Sequence, residues 1–166
     1  PGLWRTTYTG LGLDFYSYNL SPTFPASFTQ VQSMKDTRVG FGSDSDRASH
    51  FTMMWLGYYK PAQSGDYYFS IDVDDYACMW LGTNAISGYT FENAETYANN
   101  GQGGTKAKYT MIAGRYYPVR IIYTEVGGGH RCAITSGLNG GQQELQNKNS
   151  TVGAFYTDNY TNAGNF

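Results

Sequence analysis

GDYYFSIDVDDYACMWLG, residues 65–82, is the stretch that decides the fold. After the turn glycine Gly65, the side chains of Tyr67, Phe69, Ile71 and Val73 fall on one side of an extended chain. Tyr68, Ser70 and Asp72 fall on the other. Period two marks a β-strand with one buried face. The alternation runs into an acidic corner, Asp72-Val73-Asp74-Asp75, and a second apolar strand, residues 76–81, leaves it and stops at Gly82. The pair reads as a hairpin whose turn carries three carboxylates within four residues. Packing accounts for the strands. It does not account for the carboxylates, since adjacent like charges repel unless something cationic offsets them.

The same grammar extends outward. Residues 51–60 form the strongest apolar strand, ending at Lys60-Pro61. Residues 3–9, 13–18, 108–112, 116–124 and 131–136 also read as strands, with 34–41 a weak one and 83–87 a short extra one. Residues 21–27, holding Pro22 and Pro25, and 42–49 (GSDSDRAS) read as loops. Residues 93–105 form a Gly/Asn-rich loop, entered by a helical turn at 92–98, and Gly127 to Gly129 form another loop. Trp55 and Trp80 each anchor a strand in the core. Many short strands with glycine turns imply an all-β, antiparallel sandwich or barrel with long loops. Residues 1–136 form this β domain. Residues 137–166 are a Gly/Asn-rich tail that packs on the same domain or on a neighbour.

A chain of 166 residues suits one domain with a sizeable core. Net charge is −2 with no basic run, which argues against a nucleic-acid partner. No apolar run is long enough to cross a bilayer, so direct membrane insertion is not expected. The chain opens on Pro1 without a leader and reads as a mature or excised piece. Low charge with 21 glycines and 16 tyrosines points to an extracellular module, on a cell or virion surface. Cys78 and Cys132 either pair or stay as buried thiols. No nucleophile–base pair, phosphate loop or cofactor motif is visible, so the chain does not read as an enzyme. His50 and His130 lack zinc-ligand spacing. Asp44-Ser45-Asp46 lacks the glycine and glutamate of an EF-hand loop and reads as a plain loop.

These residues carry a resemblance. Trp55-Leu56-Gly57-Tyr58-Tyr59, Pro61, Ser64-Gly65-Asp66-Tyr67-Tyr68-Phe69, Asp74-Asp75 and Trp80-Leu81-Gly82 resemble the core signature of the PA-14 domain. Ala113-Gly114-Arg115-Tyr116-Tyr117-Pro118-Val119-Arg120-Ile121-Ile122-Tyr123 is similar to the GLEYA branch, which includes yeast flocculins and epithelial adhesins. Leu13-Asp14-Phe15-Tyr16-Ser17-Tyr18 resembles the opening of those adhesin domains. The match runs in order over residues 3–136 and leaves the tail uncovered.

The resemblance implies a lectin-like domain. In the adhesin branch an Asp-Asp pair joined by a cis peptide holds calcium, a second loop completes the shell, and a glycan binds the ion through vicinal hydroxyls. Carried over by position, the metal ligands are Asp74, Asp75, Glu125 and the backbone of Gly127. The glycan-contacting set is Asp74, Asp75, Val126, Gly128, His130 and Arg131. The adhesins have Asn where Glu125 stands, a change that keeps an oxygen ligand and adds charge. The flocculin cysteines and extra subdomain are missing. The residues agree with this in kind: calcium takes six to eight oxygens at roughly 2.3–2.6 Å, and glycines present carbonyls with no Cβ in the way. The expected function is calcium-dependent glycan binding by an adhesin. A structural domain of a virion or extracellular assembly is the alternative, in which the acidic corner is only a solvated turn.

Overall fold

The computed structural model describes residues 2–13, 20, 24, 29–36, 41–44, 49–99, 102–103, 108–141, 144–145 and 150–157. Its elements are β1 (Leu3–Thr9), β2 (Gln30–Asp36), β3 (Phe41–Asp44), β4 (Phe51–Pro61), β5 (Gly65–Asp74), β6 (Tyr76–Leu81) and the helical turn α1 (Thr83–Ile86). There follow β7 (Thr96–Asn99), β8 (Gln102–Gly103), β9 (Tyr109–Met111), β10 (Tyr117–Glu125), β11 (His130–Leu138), β12 (Glu144–Leu145) and β13 (Gly153–Tyr156). The larger sheet runs β2-β1-β4-β10-β6-β7-β8, with β13 also on β4. The smaller runs β12-β11-β5-β9, with β3 also on β11. All these pairings are antiparallel, and the two sheets form the all-β sandwich that the sequence predicts.

The inward side chains of both sheets make one core, including Trp55, Tyr59, Phe69, Ile71, Ile121, Tyr123 and Ile134. A second cluster, with Met54, Leu56, Cys78, Trp80 and Ile122, covers the opposite face of the larger sheet under Leu13, Phe24 and Ala85. Strands β4, β6 and β10 are therefore buried on both faces, which explains their near-continuous apolar sequence. Strand β5 has one wet face and keeps the alternation. Trp55 and Trp80 are both fully buried, but on opposite faces of the sheet. Cys78 and Cys132 are both free: one lies in the outer cluster, the other in the core between the sheets.

The structure corrects several expectations. Strands β5 and β6 are not a hairpin. They belong to different sheets, and the chain crosses from one to the other at Asp74-Asp75. Ladder partners far along the chain separate them: β5 pairs with β11 and β9, and β6 with β10 and β7. Residues 83–86 are helical rather than extended. Gly82 turns with φ 63°, and Ser87 N–H closes the turn on the Thr83 carbonyl. The helical turn expected at 92–98 gives way to β7, because the free edge of β6 offers ladder partners from Tyr76 to Met79. Residues 42–44 leave the expected loop and, with Phe41 from the expected weak strand, pair with β11, while a strand forms at Gln30–Asp36 beside β1. Residues 14–18 of the expected second strand lie outside the described residues. In the tail, Gly153–Tyr156 pairs with β4 and buries Phe155.

One edge of β4 is shared. Strand β1 pairs with Phe51 to Leu56 and β13 with Tyr58 to Pro61, so Gly57 stands where one neighbour hands over to the other. Its φ is 155°, and a Cβ there would collide with the Tyr156 carbonyl and the Leu3 side chain. Gly57→Ala should lower stability by about 2 kcal/mol, since neither backbone nor buried leucine has room to yield. By thermal denaturation the midpoint should fall by roughly 4–8 °C for a chain of this size. An unchanged midpoint would show that the handover tolerates a side chain.

Candidate functional site

Two crossings between the sheets lie together at one end of the sandwich. The chain passes from β5 to β6 at Asp74-Asp75, and from β10 to β11 through Val126 to Gly129. Backbone groups that leave a ladder need other partners. Here the two crossings serve each other. The Asp75 carboxylate, buried at 7% exposure, accepts from Val126 N–H at 2.8 Å and Gly127 N–H at 3.4 Å through the same oxygen. The Tyr123 hydroxyl lies 2.6 Å from the Asp74 carbonyl. The Asp74-Asp75 peptide is cis.

Asp74 is half-buried, and its carboxyl is pushed above the usual range first by burial and next by the charge of Asp75. A Cβ on Gly129 would sit 3.6 Å from its Oδ2, so the triple-glycine loop runs past this carboxylate. Gly127, Gly128 and Gly129 are exposed, Val126 is half-buried, and a Cβ on Gly128 would meet open space. Arg131 is the ladder partner of Asp74 and donates to Asp72 at 2.8 Å. Asp72 is exposed, the surface residue that the alternation predicts.

Glu125 and His130 depart from their expected places. Along β10, Ile121, Tyr123 and Glu125 share the inward parity, so the Glu125 side chain enters the core and is fully buried. Its Oε2 meets the Tyr123 hydroxyl and lies 3.4 Å from His130 Nδ1. Its Oε1 has no hydrogen-bond partner among the described residues. Tyr123 has one proton and faces two acceptors, the Asp74 carbonyl and Glu125. Burial pushes the Glu125 carboxyl above its ordinary range. His130 is 1% exposed and packs edge-on against Phe51 at 5.7 Å, so it is not offered to a ligand as the resemblance implies. Strand parity at the end of β11 turns it inward.

The donor set at the corner fits a hard cation in kind: carboxylate oxygens from Asp74 and Asp75, and carbonyls of a glycine loop. Among the described residues, no three His, Cys, Asp or Glu side chains are grouped so that they could hold a metal ion. Asp74 and Asp75 are together. Glu125 stands one layer deeper, held by Tyr123 and His130. Sequence reasoning missed Tyr123, although its period-two spacing from Glu125 is the signal that would have found it. The aromatics of the long loop pack rather than wait for a ligand. Tyr89 lies on Trp80 and under the Arg120 guanidinium, and Phe91 lies against Tyr97.

The raised Asp74 carboxyl has a measurable sign. In the metal-free protein its ionised form fits the folded state worse than the unfolded chain. The penalty is absent below the ordinary value of 3.8 and grows as pH rises through the raised one. In chelator, Asp74→Asn should therefore melt above wild type at about pH 7 and match it at about pH 3. A difference independent of pH would mean that the charge is not its cause.

Relatives place the chain. No curated protein sequence matches it. Among solved structures it is similar to the epithelial adhesin 9 A domain of Candida glabrata in complex with Galβ1-3GlcNAc, at TM-score 0.66 and 16% identity, covering 96% of this chain and 91% of that one. It is similar to a PA14 sugar-binding domain from an RTX adhesin, at TM-score 0.62 and 18% identity, covering 87% and 93%. It is also similar to the PA14 domain of the antifreeze protein MpAFP, at TM-score 0.64 and 16% identity, covering 92% and 90%. These likenesses show a shared PA14 fold. The model of the GLEYA domain matches residues 51–136, more than half of the chain and both crossings with it, and the chain belongs to the GLEYA domain family.

Proposed function

We propose that this domain binds a cell-surface glycan through a calcium ion held at the Asp74-Asp75 corner, as the ligand-binding part of an extracellular adhesin. The observation that carries the reading is the corner itself. Two adjacent carboxylates, one of them buried, stand beside an exposed glycine loop, and burial and mutual repulsion oppose the charge on Asp74. A divalent cation offsets that opposition. The family and the sugar-bound neighbours support the same reading.

Each residue has a task in it. Asp74 and Asp75 supply carboxylate oxygens. Asp75 has one oxygen engaged by Val126 and Gly127 N–H, and its other oxygen would serve the cation. That same bond fixes the loop that would present the carbonyls of Gly127 and Gly128. A bound ion would offer coordination positions to vicinal sugar hydroxyls, in the manner of a hard cation that prefers oxygen. With no side chains on residues 127–129, the loop leaves the corner open, and Val126 and Arg131 stand at its edge. The reading is of binding without catalysis.

Calorimetry on chelated protein tests the proposal. Calcium should release a binding heat and raise the melting temperature, and Asp74→Asn/Asp75→Asn should abolish both. A glycan array should then show signal in calcium and none in chelator. A wild-type domain that neither takes up calcium nor melts higher with it would be a structural or protein-binding module that keeps the fold alone.

A further inference from the structure

Tyr123 has no assigned role, and its surroundings point to one. It sits near the end of β10, which pairs with β4 on one side and β6 on the other, at the centre of the larger sheet. Its ring is fully buried and packs edge-on against Phe51 at 5.9 Å. Its hydroxyl leaves that rigid frame at one atom and lies 2.6 Å from the backbone carbonyl of Asp74, where β5 ends. Glu125 meets the same hydroxyl from behind and orients it.

We infer that Tyr123 is the positioning residue of the acidic corner: its hydroxyl fixes the Asp74 carbonyl, and with it the direction in which Asp74 and Asp75 present their carboxylates. The inference rests on the calcium reading above but adds a residue that touches neither ion nor glycan. Two crossings meet at this end, and their link through Asp75 joins side chain to loop. Tyr123 ties the Asp74 carbonyl to the central strand through a side chain, beside the ladder that β6 makes with β10 from Tyr76 onward. Without its hydroxyl the corner keeps both carboxylates and its ladders but loses this bond to the Asp74 carbonyl.

Tyr123→Phe removes one oxygen and keeps the packed ring. Tyr59→Phe is the control: an equally buried hydroxyl in the same core, bonded to Ser136 at 3.3 Å and remote from the corner. Calcium affinity is measured by calorimetry where each variant is fully folded. Amide exchange of Val126 and Gly127 is measured in chelator. Tyr123→Phe should weaken calcium binding about tenfold and speed those amides by a similar factor, while Tyr59→Phe stays within about twofold of wild type in both. A merely structural role for Tyr123 would lower the melting temperature in both variants and leave both other readouts alike, which would overturn the inference. A wild type that binds no calcium would instead defeat the calcium reading. Selective speeding of exchange in Tyr123→Phe would then still support the positioning role, and its absence would end it.

Discussion

The Asp75 carboxylate, holding the Val126 and Gly127 amides, is the constraint on which this end of the molecule depends. A β-sandwich whose chain changes sheets must leave its ladders, and every departure strands backbone groups that need a partner. Here two departures are solved by one side chain and one hydroxyl. Asp75 closes the β10–β11 crossing from the β5–β6 crossing, and Tyr123 closes the reverse path onto Asp74. Acceptors within a dry corner are strong but unforgiving, because an unmet donor there costs about 1–3 kcal/mol. The acidic character of the corner thus has a structural part, and Asp75 carries it.

Asp74 carries the other part. Its carboxyl is opposed by burial and by Asp75. A fold selected only for stability has no reason to keep a charge there. Arg131, across the ladder, lowers the penalty without removing it, since its guanidinium is committed to Asp72. Functional corners commonly keep such unrelieved charge. The division of labour is specific: one aspartate builds the corner, and its neighbour is left available.

The core makes this economy possible. Strands β4, β6 and β10 are covered on both faces, and Arg120 is buried with them, its Nε donating to the Ala85 carbonyl at 2.9 Å and its guanidinium 4.0 Å over Tyr89. That places rigid packed strands immediately behind the two crossings. The Glu125–His130–Tyr123 group sits at the end of this rigid layer, where strand parity delivers polar side chains into the interior.

Much of this was legible in the chain. The alternation of residues 67–73 and the dense apolar stretch of residues 51–59 marked two strands, and with the glycine turns an all-β fold. The pairing of Asp74 with Asp75 and the glycines at 127–129 marked the corner and its loop, because charge and backbone freedom are properties of the residues themselves. Tertiary structure alone decided the rest. It separated β5 from β6, because which sheet a strand joins depends on partners far along the chain. It turned Glu125 and His130 inward, because parity acquires a direction only when the sheet's two faces are known. It made an extended strand of residues 96–99 because β6 had an open edge to fill. Local sequence determined what each stretch can form, and long-range pairing chose where it points.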